Sequence, residues 1–150
     1  MESVETLLER ARRSLQVAEQ VLINTYPLVK DPKLILAVAE DIHAALTSAA
    51  EAIIIKKGKY NPELQFHQYL EALENTITND EQDLLKRLHN IIQGHKESPV
   101  EFPRKDHFVI CDKKYDCDVI SLDDMKKYLF RAGLFVEKAG DTVRGSRKDE

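Results

Sequence analysis

Arg87, His89, Asn90 and His95 lie within nine residues of one another and carry side-chain types that phosphodiester chemistry uses. An arginine fork can hold a phosphate through two parallel hydrogen bonds, and an imidazole can move a proton near neutral pH. Those are the parts needed for a 2′-hydroxyl to attack its neighbouring phosphate without a metal. Lys86, Lys96, Arg104, Lys105 and His107 surround them in the chain and suit the steering of an RNA backbone. Seven residues separate Arg87 from His95, and five separate His89 from His95. His89 and His95 fall about 120° apart on a helix. His95 also continues the apolar stripe Leu85, Leu88 and Ile92, which equally suits a core or interface histidine.

Other constellations are weaker. Glu40 and His43 form one Glu-x-x-His, whereas a di-metal helical centre needs two copies, and Glu63 with His67 is spaced differently. His107, Cys111 and Cys117 do not match the paired knuckles of a zinc site. The two cysteines are expected to face each other across a hairpin as reduced thiols. No phosphate-binding glycine loop and no serine nucleophile elbow is present. Neither a metal nor another cofactor is expected.

The elements that must position these residues are mostly helical. Residues 31–58 open on Asp31-Pro32, close on Gly58, and carry Ile35, Val38, Ile42, Ala45, Ala49, Ala52 and Ile53 at helical spacing. A preceding helix is expected from Ser3 to Tyr26, ended by Pro27. A third follows the cap-and-proline start Asn61-Pro62, with Phe66, Tyr69, Leu70, Leu73 and Ile77. Thr78 to Glu81 reads as a capping box that starts a fourth helix, and Gly94 weakens its end. Residues 97–107 hold Pro99 and Pro103 and show no period. Residues 108–111 and 117–120 read as a two-stranded hairpin, which must lie on the helices or on a partner. Ser121 to Asp124 repeats the capping-box pattern before a last helix ending near Gly140. The expected fold class is all-α: an antiparallel up-and-down bundle of four to five helices with a small β-hairpin at about 108–120. One domain, 1–140, is followed by a polar tail, 141–150.

The chain has 150 residues and a net charge of −4, which excludes a broadly basic nucleic-acid coat but permits a local basic site. Charge is segregated: residues 60–85 hold six acids and neither lysine nor arginine, whereas 86–114 hold seven bases, four acids and three of the five histidines. No apolar run approaches membrane-spanning length, the N-terminal stretch is not signal-like, and the expected location is the cytoplasm.

The run from Asp41 to Leu46 and on through Ala49 to Gly58 resembles the second helix of the HEPN superfamily. Leu8 to Leu22 is similar to that family's first helix. The end of the fourth helix falls where the family keeps its signature, and Ala132 to Ala139 resembles its last helix. The likeness covers about residues 1–140 apart from the hairpin. It implies a helical bundle, often a homodimer. The family includes metal-independent ribonucleases, non-catalytic partners of small nucleotidyltransferases, and binding modules. Its catalytic members place an arginine ahead of a proton-moving histidine by roughly four to six intervening residues. In this chain that signature is degenerate. The implied function is an HEPN-like interaction module, non-catalytic, that dimerises or pairs with a small nucleotidyltransferase-type protein. The alternative is an HEPN-type endoribonuclease with a relaxed motif, in which Arg87 or His89 holds RNA phosphate and His95 moves protons.

Overall fold

The structure is a computed structural model and describes residues 2–145. It is mostly helical, with a three-stranded antiparallel sheet before the last helix. In chain order the elements are α1 (Val4–Gln20), a π-helical turn (Val21–Thr25), α2 (Tyr26–Val29), α3 (Lys33–Lys56), α4 (Phe66–Ala72), α5 (Asn79–Glu97), β1 (Val100–Arg104), β2 (His107–Cys111), β3 (Cys117–Ser121) and α6 (Leu122–Val143).

Helix α3 forms as its sequence predicts. Asp31 Oδ1 accepts from the Lys33 amide at 3.0 Å. At the other end Gly58 adopts φ +71°, and the Gly58 and Lys59 amides donate back to Ile55 O and Ile54 O. That pair of bonds is the glycine-terminated stop in which two orphan carbonyls are satisfied. Thirteen of the 24 residues of α3 are buried, spread around the helix rather than along one stripe. A helix apolar on most sides belongs in the middle of a fold. Accordingly α1, α4, α5, α6 and the sheet all pack on α3.

The first helical segment does not stop at Pro27. A proline inside a helix removes a donor and crowds the carbonyl four residues back. Here the wider turn Val21–Thr25 precedes it, and the Tyr26 amide donates to Val21 O, five residues back. Pro27 then sits in the first turn of α2, where its missing N–H is harmless. Lys30, at φ 54°, ends the run.

Asn61-Pro62 does not start a helix either. Asn61 Oδ1 accepts from the Glu63 amide and its carbonyl from Leu64, which makes a turn. Helix α4 begins later, at a reciprocal box between Gln65 and Gln68, and is only seven residues long. Lys57 Nζ donates to Ala72 O, Glu74 O and Thr76 Oγ1, holding the end of α4 against α3. The Thr78–Glu81 capping box is present in full, and α5 continues past Gly94 to Glu97. Ser121 Oγ accepts from the Asp124 amide to start α6. That helix carries through Gly140 to Val143, so the segment expected as a tail from 141 is helical at its start. Residues 146–150 lie outside the described residues.

The hairpin is a three-strand meander ordered β1-β2-β3. Val100–Arg104 supplies the unexpected strand. It lies at the sheet edge, where Pro103 is tolerated because its missing donor faces away from a neighbour. The sheet packs on this chain's own helices, with Phe108, Ile110 and Ile120 in the main core.

Candidate functional site

Of the four candidate catalytic residues on α5, Asn90 is exposed and the other three reach three different neighbours. Arg87 points to β3 and α6. Its Nη1 and Nη2 donate to Asp118 Oδ2 and Oδ1 at 2.6 and 2.9 Å, and its Nε donates to Tyr128 Oη at 3.2 Å. The carboxylate and phenol hold the guanidinium in its charged form, raising its pKa further above the ordinary arginine range. His89 points to α3 and α4. Its ring stacks on Phe66 with centroids 3.8 Å apart and planes within 5°. His95 points to β1, where Nδ1 donates to Glu101 Oε2 at 2.6 Å.

The sheet register explains two of these contacts. Glu101 pairs with Ile110, and Ile110 pairs with Asp118. The three residues form one cross-strand row, and side chains in such a row share a face. Helix α5 lies across that row: His95 meets Glu101, Gly94 approaches Ile110, and Arg87 meets Asp118.

His89 belongs to a cleft of about 180 Å³ whose lining includes His43, Thr47, Leu64, Phe66 and Tyr69. The rings of His43 and His89 lie 6.2 Å apart. Burial pushes the His43 pKa down to about 4, and the charges of His89 and Lys96 act in the same direction. Burial, then Lys96, lowers that of His89 too. Both imidazoles are therefore neutral at neutral pH. A neutral pair in a largely apolar cleft can accept and donate hydrogen bonds, but offers no fixed positive charge to a phosphate. Among the described residues no group of three or more His, Cys, Asp or Glu is placed to hold a metal.

The cationic residues separate into two groups. Lys86 and Lys96 are exposed along α5, as is the neutral Asn90. Arg104, Lys105 and His107 sit at the β1–β2 turn, a strand's length away at roughly 3.3 Å per residue. There Arg104 lies 5.5 Å from the centroid of Phe102, and His107 Nδ1 donates to Lys105 O at 2.7 Å. The structure thus brings neither His89 and His95 nor the two basic groups to one point.

The cysteines differ from expectation. Cys111 and Cys117 face each other across the β2–β3 pair, but as a disulfide rather than as two thiols. Direct cross-strand pairing brings their Cα atoms to 4.0 Å, which places the sulfurs within bonding reach.

Sequence reading missed His43 as a partner of His89, and Glu101, Asp118 and Tyr128 as partners of α5. The Glu-x-x-His at Glu40 flagged His43 for the wrong chemistry. No local signal marked Asp118 or Tyr128, which lie 31 and 41 residues from Arg87. No helix among the described residues is long and apolar enough to cross a membrane. No family model and no curated protein matches this chain.

Proposed function

We propose that this chain is a non-catalytic, HEPN-like binding module of the cytoplasm, an up-and-down helical bundle that pairs with a second copy of itself. The carrying observation is the engagement of Arg87. A phosphate-binding fork must be open, and both of its terminal nitrogens are committed to Asp118 while Nε is committed to Tyr128. With His89 stacked on Phe66 and His95 bonded to Glu101, neither histidine of α5 converges with Arg87 on one reacting phosphate.

The surface for pairing is α6. Phe130 and Leu134 are 69% and 54% exposed on one face, flanked by exposed Lys127 and Glu137. Two antiparallel copies centred between Phe130 and Leu134 set each Phe130 beside the other copy's Leu134 and each Lys127 beside a Glu137. Such a two-fold contact is self-complementary, and crossing helices diverge before the acidic Asp123 and Asp141 at its ends.

Light scattering tests the pairing. The parent chain runs as a dimer at micromolar concentration, and Phe130→Glu runs as a monomer with an unchanged helical spectrum. A monomeric parent overturns self-pairing and leaves a small nucleotidyltransferase-type protein as the partner to capture. Incubation with single-stranded RNA in EDTA tests the absence of catalysis. Cleavage that disappears in His95→Ala overturns the non-catalytic reading in favour of an endoribonuclease.

A further inference from the structure

We infer that the cleft between α2, the β1–β2 turn and the start of α6 binds a small phosphate monoester, through Lys30, Lys105 and Lys126. The cleft measures about 310 Å³, at the lower end of the size that holds small organic ligands. Three exposed lysines from three separate parts of the fold line it, in a chain whose net charge is negative. Among the described residues none of the three forms an ion pair. Like charges lining one cleft favour an anion there.

The site is built rather than incidental. Tyr26, 4% exposed, donates from its hydroxyl to Asp106 Oδ1 at 2.8 Å. Asp106, held at φ 56°, accepts the Leu122 amide on its carbonyl at 3.0 Å. These two bonds tie α2 to the β1–β2 turn and the turn to α6, so the three lysines start from fixed backbone. Lys30 occupies the left-handed residue that ends α2, and its amide donates to Tyr26 O at 2.8 Å. Asp106 is the one carboxylate in the lining, and one of its oxygens is committed to Tyr26. Three lysines still outnumber Asp106 and Asp31, whose charge also reaches Tyr26, so the cleft favours an anion. Leu22, Pro27 and Leu122 complete the lining with apolar surface, which suits the organic part of a monoester better than bare phosphate.

The site draws on no chemistry of α5; on α6 its Lys126 stands one turn ahead of Phe130. The test is titration of the ¹⁵N-labelled full chain with adenosine 5′-monophosphate, inorganic phosphate and adenosine. The monophosphate should shift amides in 22–30, 104–106 and 122–126 and bind more tightly than inorganic phosphate, whereas adenosine should leave them in place. The double variant Lys105→Gln, Lys126→Gln should weaken the monophosphate by roughly tenfold or more with the melting temperature unchanged. Lys30→Gly is an independent check, because glycine accepts the left-handed backbone: it should weaken binding several-fold without lowering the melting temperature. No shift at low millimolar monophosphate, equal shifts with adenosine, or parent-like affinity in both variants would each overturn the assignment.

Discussion

Arg87 on α5 and Asp118 on β3 meet fork to fork, both terminal nitrogens of one on both oxygens of the other. The pair fastens the sheet to the helix it crosses, and Tyr128 draws α6 into the same junction. Arg87, a candidate phosphate clamp by type, commits its guanidinium to this tie.

Arg87→Ala should cost stability rather than activity. The two side chains are 31% and 37% exposed, so the loss is set below that of a fully buried pair, at about 1–2 kcal/mol. Arg87→Lys keeps the charge but not the fork and should fall between parent and alanine variant. Urea melts of the three proteins measure the order.

The His43 cleft should make the fold sensitive to acid. A histidine whose folded pKa is depressed to about 4 binds its proton more readily when unfolded, at an ordinary value near 6.5. Its contribution is complete above about 6.5 and is lost as pH falls from there through about 4. The drop is of the order of 2–3 kcal/mol, and His89 adds in the same direction. Denaturation at pH 7, 5.5 and 4.5 should show stability falling. His43→Gln should flatten most of that slope; an unchanged slope would show that other groups carry it.

Reduction should loosen the β2–β3 tip. The bond joins residues six apart, and a closed loop of that size is worth about 2 kcal/mol in the chain-entropy account. Thermal melts with and without dithiothreitol should differ, and the difference should vanish in Cys111→Ala with Cys117→Ser. Cys117 is exposed whereas Cys111 is 3% exposed, so a thiol reagent applied after reduction should label Cys117 first.

Gly94→Ala should stabilise the protein. The glycine lies inside α5, where it costs roughly 0.5–1 kcal/mol relative to alanine. A methyl group placed there would meet Ile110 Cγ2 at 3.9 Å, an ordinary contact. A melting temperature below the parent's would mean that the sheet needs a closer approach at this point.

What the chain made legible was local. The extent of α3, the Thr78 box and the Ser121 cap each depend on residues within four positions of one another. The box stands as expected, α3 starts one residue later with Pro32 as its N-cap, and at Ser121 only the serine half of the expected box forms. What it hid was relational. Pro27 reads as a stop unless the turn before it widens, and Val100–Arg104 reads as loop unless its proline falls on a sheet edge. The cysteines were placed opposite each other correctly, but composition and spacing do not set their oxidation state. The candidate site was the least legible part. Arg87, His89 and His95 are neighbours in the chain, yet the helical advance sends them to Asp118, Phe66 and Glu101 on three separate elements.

The enclosure of α3 has one more consequence. With neighbours around most of its circumference, the amide protons in its middle turns, around Ile42 to Ile53, have few partial openings through which to meet deuterium. Their exchange rates should be the slowest in the molecule and should track its overall unfolding free energy. In effect the axle carries the gauge by which the strength of the whole wheel can be read.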